Sequence, residues 1–338
     1  MDNERVRVGI VGLGTIGRIH ARRLDELGVG FVGADLDPDA RGRFEAEFDA
    51  TTYPDHGAML ESGVDAVIVG VPNRFHEELA VDSLAAGVDV LLEKPLAHSV
   101  ESAERIVDAA RAASGLCTVG LTLRYAGLTR RVCELREAGR FGSIDHVDIE
   151  YLRRDFVPDE GRGWFTDECL AGGGVLMDLG VHVIDLALHF LEPPGVVEVS
   201  GVTRSGFGSY HVEDSATALL RCADGSSVSV DTSWRATVQP SRTCSIRGTD
   251  LGAAFEVSGS DLALISPDGD EEVETVTVQT EDMHLAEDRA FLSAVSGGSG
   301  KSLPTVEEAL RVQRVIAAIY ESSERGRAVT LDPAAEER

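Results

Sequence analysis

The sequence predicts an α/β protein in two parts: a doubly wound parallel sheet, then a second α/β part with a mainly antiparallel sheet. Three observations predict it. Continuous β-branched runs alternate with amphipathic helical spacing over the first third, a glycine-rich turn follows the first run, and short strands with turn signals fill 196–265. At 338 residues the chain exceeds one comfortable core, so two domains are expected, 1–123 and 124–338, with the last helix free to pack back on the first.

The runs VRVGIVG (6–12), GFVGADL (30–36), DAVIVGV (65–71), VDVLLE (88–93) and LCTVGL (116–121) are apolar on both faces. Strands of a parallel sheet covered by helices must be so. Helical spacing over 16–27, 38–48, 74–86 and 100–113 supplies the crossovers. Past about Arg124 the rhythm changes. A helix over 128–138, a strand in IDHVDIEYLRR, a loop rich in glycine and charge and a helix over 174–191 lead into the antiparallel strands. Two helices, near 285–295 and 306–322, close the chain.

The net charge of −27 repels nucleic acid and anionic membrane surfaces, so neither is expected as a partner. Acidic runs such as 268–274 are short; an acidic tail does not account for the charge. Lys94 and Lys301 are the only lysines, and the other 29 basic residues are arginine. An acidic, lysine-poor surface suits a salt-adapted (halophilic) protein, although a GC-rich genome also favours arginine. The N-terminus shows no signal-peptide pattern, and no apolar stretch of membrane-spanning length is expected. Five cysteines, scattered and never spaced C-x-x-C, read as reduced, buried thiols of a cytoplasmic protein.

GLGTIG (12–17) is G-x-G-x-x-G directly after the first strand and at the mouth of a helix. Such a turn lets backbone approach a pyrophosphate that the helix N-terminus faces. Gly12, Gly14, Thr15, Ile16 and Gly17 are therefore candidate cofactor contacts. Asp35 ends the second strand at about the spacing of a ribose-binding acid. Its carboxylate would accept from ribose hydroxyls and repel a 2′-phosphate, so NAD is expected over NADP. Helix capping, the plainer role in LDPDA, suits Asp37 better. SGGSGKS (296–302) imitates a phosphate loop, but that motif needs glycine where Val295 stands and a strand before it.

In GGGVLMDLGVHVIDLALHF, Asp178, His182 and Asp185 stand at i, i+4 and i+7, on one face of an otherwise apolar helix. Taken alone, a buried Asp–His pair is more often a structural contact than a catalytic one. A third nitrogen or sulfur ligand is missing nearby, so no metal is expected. LLEKPLA places the rare Lys94 between Glu93 and Pro95. A compact ammonium can reach one oxygen and exchange a proton, which a planar, permanently charged guanidinium does poorly. GRGWF, with Trp164, reads equally as a lid over substrate or as an exposed loop with an aromatic anchor.

Over essentially its full length the chain resembles the glucose–fructose oxidoreductase / inositol dehydrogenase (Gfo/Idh/MocA) family. VGIVGLGTIGRIHARRL, VPNRFHEELA, LLEKPLA, GGGVLMDLGVHVID and MHLAEDRAFLSAV carry the resemblance. It implies a Rossmann-like domain, a second domain on a large open antiparallel sheet, a nicotinamide cofactor and a homodimer or homotetramer. By that resemblance Lys94, Asp178 and His182 surround the reacting hydroxyl or carbonyl. Asn73 and His76 match the segment that runs beside the cofactor, where Glu93 and Lys94 are also candidates, and Arg124 matches the basic residue after the family's sixth strand. Arg124, with Trp164 of the loop and Asp185 of the helix face, is a candidate for the substrate side. The implied reaction is hydride transfer at a secondary hydroxyl of a sugar, polyol or related small polyhydroxy compound. A nicotinamide-recycling glycosidase or epimerase and a non-catalytic NAD(P)-binding sensor are the rivals; intact Lys94, Asp178 and His182 weigh against the sensor.

Overall fold

The computed structural model describes residues 6–154, 163–192, 195–206, 210–269, 271–275 and 282–332. The chain forms two compact units, Met1–Leu121 with Glu281–Leu310, and Thr122–Thr280 with Arg311–Arg338. Parallel strands β1 (Arg7–Val11), β2 (Gly30–Ala34), β3 (Thr52–Tyr53), β4 (Ala66–Val69), β5 (Asp89–Glu93) and β6 (Cys117–Gly120) build the first unit in the order β3-β2-β1-β4-β5-β6. The order reverses between β1 and β4, and at such a switch point the crevice outside the strand ends takes ligands. The crossovers are α1 (Thr15–Glu26), α2 (Pro38–Phe48), α3 (His56–Leu60), α4 (His76–Ala85) and α5 (Val100–Ala112). Asp37 caps α2 by accepting from the Asp39 N–H, as its place before Pro38 suggests.

The expected division at residue 123 left the last helix free to pack back on the first part; in the structure the helix before it does so. After the second unit the chain returns to the first, bringing α9 (Met283–Val295) against α1. Phe291 and Leu292 join Val8, Ile10, Leu24, Phe44 and Leu91 in one core. Burial of that apolar face, about 25 cal/mol per Å², explains the return.

The second unit starts with α6 (Gly127–Glu137), β7 (Ile144–Leu152), the short α7 (Glu168–Ala171) and α8 (Val181–Leu191). It continues with β8 (Val196–Arg204), β9 (Ser215–Cys222), β10 (Ser227–Ser233), β11 (Thr243–Gly248), β12 (Gly252–Glu256), β13 (Asp261–Ile265) and β14 (Glu271–Thr275). Helix α10 (Val306–Arg325) and β15 (Val329–Thr330) end the described chain. The sheet runs β14-β13-β12-β11-β7-β10-β9-β8-β15 and is antiparallel except that β7 and β10 lie parallel. On β9 the burial alternates strictly, buried at Ala216, Ala218, Leu220 and Cys222, as a sheet covered on one face requires.

One expectation needs correcting. Glu168–Leu191 is 24 residues and contains an 18-residue stretch of mean hydropathy 1.6, long and apolar enough by length and composition to cross a membrane. Of that stretch 78% is buried inside the molecule, where α8 packs on β7 and β10. The thiols differ too: Cys222 and Cys244 are buried, but Cys169 is exposed.

Candidate active site

The glycine turn forms as its spacing demands. Gly12 adopts φ +89°, and a Cβ there would stand 2.5 Å from the Gly70 carbonyl oxygen. A Cβ on Gly17 would meet the Gly12 oxygen at 2.0 Å, so bare backbone lets α1 pack onto β1. Gly14 is the reverse case: nothing lies within 4 Å of its Cβ direction. It heads α1 with no side-chain cap and no acidic residue in the first turn, leaving N–H groups of Thr15, Ile16 and Gly17 for an anion. Asp35 accepts from the Leu13 N–H at 2.8 Å and the Asp37 N–H at 2.9 Å. One carboxylate thereby braces both sides of the opening. This uncapped, open turn fits the pyrophosphate and ribose of a dinucleotide.

At the end of β5, the peptide before Pro95 is cis and the Lys94 N–H donates to Glu93 Oε2 at 3.1 Å. Glu93 was expected at the cofactor. Its other oxygen instead faces His20 Nε2 at 3.1 Å, and the residue is only 7% exposed. His20 Nδ1 in turn lies 2.8 Å from Asp288 Oδ1, with both side chains wholly buried. Burial lowers a histidine pKa, but Asp288 first and Glu93 second outweigh it, and His20 is raised well above 6.5. Glu93 shows the converse: burial would raise it, yet the His20 and Lys94 charges hold it low. A buried imidazolium thus pins the carboxylate that fixes the Lys94 backbone.

His76 also differs from expectation. It is fully buried, with Nδ1 3.0 Å from the Pro95 oxygen and Nε2 3.0 Å from the Val71 oxygen. Desolvation depresses its pKa, against the hydrogen bonds to the two carbonyls. A neutral ring donates to only one of them, and the buried side chain sits between the Val71 and Pro95 carbonyls rather than open to a cofactor. Asn73 lies buried in the 3₁₀ turn Asn73–Phe75 just ahead of it.

In the second unit the triple glycine opens the helix as a π-turn, Leu176–Gly180, continuing into α8. Gly174 is required by close approach, since a Cβ would lie 2.0 Å from the Glu213 carbonyl oxygen. The Glu213 carboxylate accepts the N–H groups of Gly174 and Leu176, each at 2.8 Å, and the Tyr320 hydroxyl at 2.9 Å. Burial still holds its pKa above the ordinary carboxylate value. Asp178 stands within the π-turn and accepts from Trp234 Nε1 at 2.9 Å. His182, half-buried, follows in the first turn of α8. Short π segments are frequent at functional sites because they re-aim side chains.

Asp185 does not face substrate as expected. Its two oxygens take the Arg124 fork at 2.9 and 2.6 Å, the side chain being 2% exposed. The physical reason is that a buried carboxylate needs a bidentate partner. Trp164 is half-buried and stacked on Phe165 at 3.8 Å between ring centroids. The preceding loop, 155–162, lies outside the described residues. Lys301 is exposed in a loop, as the missing glycine predicts.

His20, Asp288, Glu213, Tyr320 and Trp234 escaped the sequence reading. His20 lies 268 residues from Asp288 and Trp234 56 from Asp178, separations at which spacing carries no information. One signal was available: Trp234 is one of two tryptophans, and a buried indole N–H needs an acceptor.

Residues 6–121 match the family model described as an oxidoreductase family with an NAD-binding Rossmann fold. Residues 129–254 match the Gfo/Idh/MocA C-terminal domain. The chain is 29% identical to a D-glucoside 3-dehydrogenase of Escherichia coli, across 98% of this chain and 99% of that one. It is 30% identical to D-xylose 1-dehydrogenase (NADP(+)) 2 of Haloferax volcanii, across 83% and 85%. Among solved structures, levoglucosan dehydrogenase in complex with NADH superposes with a TM-score of 0.88 at 22% identity, over 97% of this chain and 99% of the other. On the strength of both matched domains and these relatives, the chain belongs to the Gfo/Idh/MocA family of oxidoreductases.

Proposed function

We propose that the protein transfers hydride between a nicotinamide cofactor and a secondary hydroxyl, or the matching ketone, of a sugar, polyol or related polyhydroxy compound. The Trp234–Asp178 hydrogen bond carries the reading. It fixes a carboxylate four residues before His182, at the start of the one helix that bears both polar groups. The relatives named D-glucoside 3-dehydrogenase and D-xylose 1-dehydrogenase support it. When bound, the nicotinamide accepts or returns the hydride.

The chain's own residues handle the proton and the charge. His182 takes the hydroxyl proton, a task suited to an imidazole near neutral pH. The Lys94 ammonium steadies the oxygen as negative charge grows on it. Asp178, held by the indole, orients a substrate hydroxyl. Glu93 and His76 hold the turn that presents Lys94, through its N–H and the Pro95 carbonyl.

The proposal extends to NAD rather than NADP, supported by Asp35 at the open turn, although the Haloferax volcanii relative is named for NADP(+). A cytoplasmic homo-oligomer is also proposed. Free cysteines support the first, and Val202 and Leu219, 68% and 53% exposed on β8 and β9, support a second copy over that sheet face. Initial rates of NAD+ and NADP+ reduction across aldoses, inositols and sugar acids test the reading. Asp35→Ser should weaken NAD and improve NADP. Equal use of both cofactors by the parent protein would undo the NAD part, and no reduction with any polyol would undo the whole.

A further inference from the structure

We propose that Arg153 and Arg242 form an anion-binding subsite beside Asp178, so that the substrate is a sugar bearing a carboxylate or phosphate group. The inference rests on the dehydrogenase reading above and narrows its substrate class. Along β7, Val147, Ile149 and Tyr151 alternate onto the buried face, under α8, while Asp148 points outward. Register places Ile149 beside Val230 of β10 and Cys244 of β11, and Tyr151 beside Thr232. Continuing that alternation puts Arg153, Trp234 and Arg242 on the same face at one end of three adjacent strands. Backbone bonds confirm the continuation: the Arg153 N–H donates to the Ser233 oxygen at 2.8 Å, and Leu152 pairs with Ser241. The indole that holds Asp178 therefore lies level with Arg153 on the neighbouring strand, and Arg242 follows on the strand beyond, level with Tyr151.

The two guanidinium groups gather on one phenol. Arg242 Cζ lies 4.1 Å from the Tyr151 ring centroid and Arg153 Cζ 5.5 Å from it. Both donate to the Tyr151 hydroxyl, Arg153 at 3.1 Å. Arg242 spends another donor on Ser258 Oγ, also at 3.1 Å, while its Nε is buried and donates to no described residue. Among the described residues no carboxylate forms an ion pair with the Arg242 guanidinium.

Two like charges held together are unfavourable by themselves. Acidic residues outnumber basic ones 58 to 31 in this chain, so the pairing of the Arg242 guanidinium with a phenol and a serine hydroxyl is notable. The Arg242 Nε is a donor still available, and rigid guanidinium forks recognise carboxylate and phosphate bidentately. They also supply local attraction for an anion that the overall charge repels.

One skeleton in three forms provides the test: glucose, glucuronate and glucose 6-phosphate, each assayed for nicotinamide reduction and for binding by calorimetry. A charged form should exceed glucose in kcat/KM by roughly tenfold or more. Arg242→Gln should cut that charged-to-neutral ratio by roughly tenfold, through KM, one charge-assisted hydrogen bond being worth about that or more. Arg153→Gln serves if Arg242→Gln fails to fold. Preference for glucuronate assigns a carboxylate, and preference for glucose 6-phosphate a phosphate. Equal kcat/KM for all three sugars, or anion binding indifferent to both substitutions, overturns the subsite. Arginine-dependent anion binding with no turnover of any sugar would leave the subsite standing and remove the dehydrogenase reading.

Discussion

His20 lies between two buried carboxylates and holds the one that fixes the Lys94 backbone. Replacing it with glutamine removes the charge placed between Asp288 and Glu93 and leaves Glu93 the Lys94 charge alone. The loss of one partner from a buried ion network costs about 3–5 kcal/mol. The pH dependence has a definite sign. Unfolded, the imidazole titrates near 6.5, and folding raises it well above that value. Its stabilisation is therefore complete below about pH 6.5 and is lost as pH rises through the raised folded value. Urea unfolding from about pH 6 to about pH 10 should show the gap between parent and His20→Gln shrinking; a constant gap would contradict the assignment. Lys94 asks a different question. If the site needs a compact, proton-exchanging donor, Lys94→Arg should remain nearly as inactive as Lys94→Ala, each down by roughly a hundredfold in kcat. Near-parental activity in the arginine variant would show that charge alone suffices. Lys94, Asp178 and His182 were legible because each is a rare or polar residue in a telling local pattern. Their supports were not, because Trp234 and His20 acquire meaning only from residues brought near by folding.

The element scale separates two kinds of glycine. A methyl on Gly174 would strike the Glu213 carbonyl, whereas one on Gly14 meets open space. Gly174→Ala should destabilise by about 3 kcal/mol, the upper range for overpacking, and lower kcat as the π-turn shifts Asp178. Gly14→Ala should stay within about 0.5 kcal/mol of the parent yet weaken cofactor binding, because its methyl enters the pyrophosphate's space. Thermal melts with and without NAD separate the two; matching losses of stability would refute the distinction. Most strands and helices were readable to within a few residues, since their apolar periods are strong. The two-residue β3 was too short to show a period. The π-turn hid inside an ordinary amphipathic pattern, and β10's parallel pairing with β7 left no mark, because alternation on one covered face reads alike in either direction.

At the scale of the whole molecule the surface is overwhelmingly acidic, and many arginines sit in exposed pairs, such as Arg18 and Arg22 with Glu47 and Arg105 with Glu77. Pairs of this kind contribute little and are screened by salt; relief of general self-repulsion should dominate. The melting temperature should accordingly rise by roughly 5 °C or more from dilute to multimolar KCl, and a flat or falling curve would remove the case for salt adaptation. The two-part division was legible from the change of rhythm after Arg124. A late return was allowed for the last helix; that α9, the helix before it, makes the return was not legible, because an amphipathic helix does not announce which sheet it will cover. That return bears on how the chain is born. The Rossmann-like unit cannot finish its core while only its first 121 residues have left the ribosome, for Phe291 and Asp288 are still to be made. Until then α1 carries an uncovered apolar stripe and His20 lacks one carboxylate, so the amino-terminal unit must wait, incompletely folded, for a segment synthesised after nearly all of the second unit.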